Sequence, residues 1–246
     1  PEVELAISAP KPGWAEQDPD TWWQHVVRSA GALRARAGIR WHDVRAIGIS
    51  YQMHGLVALD RSGTPVRPAI IWCDSRAVET GEAAFAALGP RVCLRRLLNS
   101  PGNFTASRLA WVKENEPAVF ARIGTVMLPG DYVAFRMTGE IRTTVSGLSE
   151  AILWDFERGE PAAFVLEHFG IPRSMLPETV PTFAPQGALT AAAGSQLGLA
   201  AGVPVTYRAG DQPNNAFSLN VLSPGEIAAT AGTSGVVYGV AGTAAF

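Results

Sequence analysis

The chain has 246 residues, 47% of them hydrophobic and 17% charged, with a formal net charge of −2. That content is ample for one large domain or one and a half. No Lys/Arg cluster marks a nucleic-acid face, no apolar run is long enough for a membrane span, and no segment reads as a signal peptide. Cys73 and Cys93 have neither metal-ligand nor redox spacing, so both are expected to be plain buried thiols in a reducing cytoplasm. The chain opens on Pro1 and closes on "VVYGVAGTAAF", and both ends read as cut from something longer.

In chain order, "EQDPDTWWQHVVRSAGALRARAG" is the clearest helix. Asp18 suits an N-cap and Pro19 the first turn. Trp22, Trp23, Val26, Val27, Ala30, Leu33 and Ala37 share one face, and Gly38 is the expected C-cap. "VRAIGIS" reads as a strand. "GLVALDRSGTPVRPAIIW" reads as a hairpin turning at Arg61–Thr64. "DSRAVETGEAAFAALG" reads as a helix capped by Asp74 and ended by Gly89. Helices follow in "TASRLAWVKENEP" and "EPAVFARIG", then a buried strand in "TVMLP" and a helix in "GDYVAFRMTG".

"EIRTTVSGLSEAILWDFERGEP" is irregular and predicts a hairpin or a loop over a cleft. "PAAFVLEHFG" is helical, "IPRSMLPETVPTFAPQG" is a proline-rich extended connection, and "LTAAAGSQLGL" is a short helix. "VPVTYRAG" is a strand leading into "DQPNNAFSLN", whose helix is expected to begin near Pro213. "GEIAATAGTSGVVYGVAG" reads as two strands joined by a Gly-Thr-Ser-Gly turn. Strands alternating with helices make an α/β fold, with a domain boundary near residues 200–206.

Few residues offer chemistry. Asp211 sits on a strand-to-helix turn, where α/β folds place ligand groups. It is either an N-cap carboxylate or a general base that accepts a hydroxyl proton. Gly232, Thr233 and Ser234 lie in "TAGTSGVVY", either an ordinary hairpin turn or a ring of backbone N–H and hydroxyl donors for phosphate. No Lys follows, so this is not a P-loop. His54 ends a strand after Gln52 and Met53, as a structural histidine or a polar ligand contact. Trp72, also near a strand end, is either core or a surface on which a sugar face stacks. Glu150 is a lone charge in an apolar run, and the expectation is a solvated side chain. No grouping has metal-site spacing, and "TVSGLSE" lacks the strand–Ser–helix context of a nucleophile elbow.

Taken together and in order, "PGWAEQDPDTWW", "GISYQMHGLV", "RPAIIWCDSR", "LPGDYVAFRMTGE", "AGDQPNNA" and "ATAGTSGV" resemble the carbohydrate kinases of the FGGY type, and within them the xylulose-kinase branch. The resemblance runs along nearly the whole chain. It implies an actin-like ATPase (ribonuclease H-like) α/β fold. Residues 1–203 would be the sugar-binding domain without its first strand and phosphate hairpin. Residues 204–246 would begin the nucleotide-binding domain.

The implied reaction is ATP-dependent phosphorylation of D-xylulose to xylulose 5-phosphate, with Mg²⁺. The implied alternatives are another polyol or ketose such as glycerol, ribulose or fuculose, or a non-catalytic sugar-binding fragment. Asp211 matches the catalytic base. Met53, His54, Trp72 and Gln212 match sugar-site positions, and Gly232, Thr233 and Ser234 match the turn against the nucleotide phosphates. No protein-held metal, nucleic acid or membrane is implied, and a homodimer is compatible with the family. By itself the fragment is expected to be inactive. Three features depart from the pattern. Gln212 stands where many xylulose kinases carry Asn, Tyr51 replaces a smaller residue, and "SGLSEAILW" replaces an Asp-Ala-Ser-Gly-Thr-like segment.

Overall fold

The computed structural model describes residues 4–36, 38, 40–231 and 235–244. A two-residue strand β1 (Glu16–Gln17) precedes helix α1 (Pro19–Arg34), which starts as the sequence predicts. Asp18 accepts the Asp20 N–H at 2.9 Å and Pro19 fills the first helical position. Trp22 and Trp23 are buried. The helix ends at Arg34, a turn before Gly38, where Arg34, Ala35 and Arg36 are all exposed.

Strand β2 (Ile47–Tyr51) is followed by β3 (Val57–Leu59) and β4 (Ala69–Ile70). The turn between the last two is where the sequence puts it. The Asp60 carboxylate accepts the backbone N–H groups of Ser62 and Thr64 at 2.8 and 3.0 Å. β3 is apolar throughout, and its side chains alternate between two clusters. Ala58 packs with Leu56, Ile70 and Leu109, whereas Val57 and Leu59 pack with Trp22, Met127 and Tyr132. That is the period of a strand buried on both faces.

Helices α2 (Val78–Leu88), α3 (Pro90–Leu97), α4 (Thr105–Asn115) and the single turn α5 (Pro117–Phe120) come next. Asp74 does not cap α2. The N-cap is Ala77, with no side-chain bond. Asp74 is fully buried and accepts the Ala15 N–H at 2.6 Å and the Arg76 guanidinium at 2.7–3.0 Å. A buried carboxylate with an Arg two residues away gains more from that pair than from a cap. Cys93 is buried, but Cys73, in the loop after β4, is exposed, against expectation.

Strand β5 (Thr125–Met127) pairs antiparallel with β3, and α6 (Pro129–Thr138) ends on Gly139 in the left-handed conformation. The irregular stretch then holds four elements. They are β6 (Arg142–Thr144), α7 (Val145–Glu150), and the hairpin β7 (Trp154–Asp155) with β8 (Glu160–Pro161). After α8 (Ala163–Phe169), β9 (Glu178–Val180) returns parallel to β6. Helix α9 (Ala191–Leu197) leads to β10 (Val205–Gly210), and α10 (Asp211–Ser218) follows without a break. β11 (Ile227–Ala231) and β12 (Gly235–Gly239) pair antiparallel.

The pairing that sets the site is β2 with β10, parallel, with Ile49 opposite Arg208 and Tyr51 opposite Gly210. β10 is anchored beneath by a fully buried ion pair, Arg208 Nε to Asp131 Oδ1 at 2.9 Å, and by Arg208 donating to the Arg142 carbonyl at 2.7 Å. Among the described residues no helix is long and apolar enough to cross a membrane.

Candidate active site

Because β2 and β10 are parallel neighbours in register, both deliver the next residues of the chain to the same edge of the sheet. Gln52, Met53 and His54 leave β2 there, and Asp211 and Gln212 leave β10. The carboxyl ends of parallel strands are where open α/β sheets bind ligands.

Asp211 is not a cap. Gly210 holds the N-cap position and Asp211 is the first helical residue. Its carboxylate meets only its neighbour, with the Gln212 N–H donating to Oδ1 at 3.0 Å and the Gln212 amide 3.5 Å from Oδ2. The turn is secured instead by Asn214, whose amide donates to the carbonyls of Ala209 and Gly210 at 2.9 and 2.8 Å. Asp211 is exposed, in the first turn of α10. The N-cap position, one of the two readings open from sequence, belongs to Gly210 and not to Asp211.

His54 is half-buried and adopts φ +62°. Its Nδ1 lies 3.0 Å from the Glu150 carbonyl oxygen, which can only accept, so Nδ1 carries the proton. Burial holds the imidazole below its ordinary pKa of 6.5, with Arg108 adding to the effect. A neutral ring with a protonated Nδ1 presents Nε2 as an acceptor, suited to a hydroxyl proton. The ring packs edge-on against Phe104, with centroids 4.6 Å apart.

His54 and Met53 line a cavity of about 290 Å³ with Asn99, Phe104, Ser146, Ser149, Glu150 and Gly210, among others. Three of the four non-glycine residues with positive φ among those described, His54, Leu98 and Ile152, line this one cavity. Left-handed backbone costs energy for such residues, most of all for β-branched Ile, and strain of this kind tends to cluster at functional sites. Gly210 is needed on the opposite wall. A β-carbon there would collide with Met53 and stand 2.9 Å from Glu150 Oε2.

Arg108 is a residue the sequence did not single out. It is fully buried, and its guanidinium donates to the carbonyl oxygens of His54, of Trp72 at 3.0 Å and of Asp74 at 3.2 Å. Burial pushes its pKa down to about 10, a shift that Asp74 partly offsets. One cation thereby ties the loop after β2 to the loop after β4. Its signal in sequence is only that a helix otherwise apolar on that face carries an Arg.

Trp72 is 61% exposed and does not line the cavity of His54. It borders a larger groove of about 710 Å³ along α1 and β2, mostly apolar, with Gln17, Trp22, Tyr51 and Gln52. Glu150, expected in solvent, is 8% exposed. It ends α7, a six-residue helix capped by the Thr144 hydroxyl, which accepts the Gly147 N–H at 3.0 Å. Gly232, Thr233 and Ser234 lie outside the described residues. Among the described residues no group of three or more His, Cys, Asp or Glu side chains could hold a metal.

Residues 2–218 match the FGGY family of carbohydrate kinases, N-terminal domain. The chain is 33% identical over 237 residues to the xylulose kinase of Escherichia coli (strain K12), covering 96% of this chain and 48% of that protein. In three dimensions it resembles a xyloylose kinase from Brucella ovis (TM-score 0.88, 33% identity, 95% of this chain and 48% of that one). It also resembles xylulose kinase from Rhodospirillum rubrum (TM-score 0.89, 30% identity, 95% and 48%). The expected actin-like α/β fold is therefore the observed one, and the chain spans about half the length of the relatives it matches. With a family match over most of its length and the same fold in solved relatives, the chain belongs to the FGGY family of carbohydrate kinases, through their N-terminal domain.

Proposed function

We propose that this chain is the acceptor-binding part of an ATP-dependent ketopentose kinase that phosphorylates the terminal hydroxyl of D-xylulose. The observation that supports the reading is Asp211, an exposed carboxylate bonded only to its own neighbour, beside the Met53–His54 segment at the ends of paired parallel strands. In this reading the Asp211 carboxylate accepts the hydroxyl proton as that oxygen bonds to the γ-phosphorus and ADP departs. General-base assistance of this kind is worth roughly 10²–10⁴-fold.

His54 Nε2 accepts a second hydroxyl of the sugar and Met53 packs on its apolar edge. Gln212 flanks Asp211, and Trp72, which does not line the His54 cavity, is assigned to the outer rim of the acceptor site. Gly232, Thr233 and Ser234 are assigned to the nucleotide phosphates. ATP with Mg²⁺, when bound, supplies the phosphoryl group and neutralises its charge. Residues 1–203 act as the sugar-binding unit and residues 204–246 lead into the nucleotide-binding one, in a cytoplasmic enzyme.

The test is ADP release by the complete two-domain protein on a panel of ketoses and polyols. D-Xylulose is expected to give the highest kcat/KM. A clear preference for glycerol, towards which Gln212 would point, moves the substrate assignment, and no ADP release on any acceptor overturns the reading. The 246-residue chain alone is expected to show no turnover.

A further inference from the structure

The buried carboxyl of Glu150 has no part in the chemistry described above, yet it lies between the two segments that carry that chemistry. The His54 backbone N–H donates to Oε1 over a long 3.4 Å. Oε2 stands against Gly210, immediately before Asp211. The Tyr51 hydroxyl is buried without a partner at bonding geometry, and it faces the same carboxyl. The Tyr51 ring is itself confined, because a β-carbon at Gly130 would occupy its place.

We propose that Glu150 is a positioning residue of the acceptor site: backed by the Tyr51 hydroxyl, its carboxyl locks the Met53–His54 segment against the Gly210–Asp211 turn. The inference rests on the kinase reading of that site.

The charges around the carboxyl decide its working form. Asp131 on α6 and Asp211 on α10 lie near enough to act against its ionisation. His54 is held neutral by burial. Of the nearby cations, Arg208 is bonded to Asp131 and the Arg142 carbonyl, and Arg108 to three backbone carbonyls. Burial first, and then these two aspartates, raise the Glu150 pKa well above the ordinary value of 4.5. Burial, Glu150 and Asp131 likewise raise that of Tyr51. The neutral acid can donate to or accept from the phenol, and it adds no second negative charge beside the Asp211 base. Two carboxyls, one exposed and one buried, thereby divide proton transfer and positioning between them.

The test uses the complete protein and compares Glu150→Ala, Glu150→Gln and Tyr51→Phe with wild type across pH. Glu150→Ala is expected to raise the acceptor KM and lower kcat, about ten- to a hundredfold together in kcat/KM, as for a site misplaced by a fraction of an ångström. Glu150→Gln, a neutral isostere, recovers most of that loss at neutral pH. It also removes the fall in activity that wild type shows as Glu150 ionises at higher pH. Tyr51→Phe adds little to Glu150→Ala, because the two act as one unit.

An Ala variant with wild-type kcat, KM and pH profile overturns the proposal, as do losses in the Tyr51 and Glu150 variants that simply multiply. If wild type itself phosphorylates no ketose or polyol, the kinase reading has failed, and thermal melting then decides the pair. Relative to Glu150→Gln, in which all other groups titrate alike, wild type is expected to lose stability as pH rises above about 4.5. Parallel melting curves for the two overturn the pair as well.

Discussion

Tyr51 and Gly210 are register partners at the last rung of the parallel ladder between β2 and β10. Everything proposed for the site follows from that rung. Two and three residues beyond Tyr51 the chain presents Met53 and His54, and one residue beyond Gly210 it presents Asp211. Both segments emerge from hydrogen-bonded strands, so their separation is set by the sheet and not by loop flexibility. A site built on rigid elements keeps its geometry when no ligand is bound.

Asp211→Asn tests the base. The amide is nearly the same size, its oxygen can still accept the Gln212 N–H, and Asp211 is exposed, so the fold is expected to be unchanged. Turnover by the complete protein should fall by about 10²–10⁴-fold while acceptor binding, read by calorimetry, stays within a few-fold. A variant turning over at the wild-type rate would remove Asp211 from the chemistry.

His54 makes the site sensitive to acid. Its folded-state pKa lies below 6.5 because burial disfavours the imidazolium. The unfolded chain therefore takes up a proton at a higher pH than the folded one does. The stability contributed by neutral His54 is complete above about 6.5 and is lost as pH falls through the folded value. Acceptor binding should weaken in the same direction, since a protonated Nε2 donates where the sugar hydroxyl also donates. Isothermal titration across this window should show affinity flat at neutral pH and declining in acid. In His54→Gln, affinity should be lower and independent of pH over the same range.

Local signals carried much of this into the sequence. A strand, a Gly-Asp turn and an Asn-rich helix start are legible as pattern, and so are the Asp18 cap and the Asp60 turn. What was not legible depends on partners far along the chain. Asp74 looks like a cap until Ala15 and Arg76 are brought to it. Glu150 looks solvated because α7 is only six residues long and hides in a Ser/Thr/Gly stretch. Tyr51 and Glu150 are 99 positions apart in sequence, and nothing local says that they meet. Arg108 reads as a helix-surface cation, since the three carbonyls that bury it belong to other loops.

Arg108 is expected to matter for both fold and site. Replacing it with Ala removes the Arg108 donor from the part-buried carbonyl oxygens of His54 and Trp72, each worth about 1–3 kcal/mol, while the Asp74 carbonyl keeps the Asn103 amide. A loss of about 2 kcal/mol or more in denaturant melts is the expected outcome. Arg108→Lys keeps the charge but not the planar fork, so it cannot reach all three oxygens at once. It should fold, with intermediate stability and a raised acceptor KM, because the His54 and Trp72 loops are no longer tied together. A Lys variant with wild-type KM would show that the tie serves stability alone.

Gly210 provides a test that separates the site from the fold. Its φ of −59° is open to any L-residue, so alanine there meets no backbone penalty. Its obstacle is steric and local. The added methyl would strike Met53 and approach Glu150 Oε2 to 2.9 Å, and both residues line the acceptor cavity. Met53 is half-buried on a flexible side chain and can swing away, so the melting temperature of Gly210→Ala should drop by only a few degrees. The swing displaces the apolar wall against which the sugar would lie. Acceptor KM should therefore rise about tenfold or more, with the KM for ATP nearly unchanged. An equal rise in both constants would mean that the turn, and not the Met53–Glu150 wall, had moved.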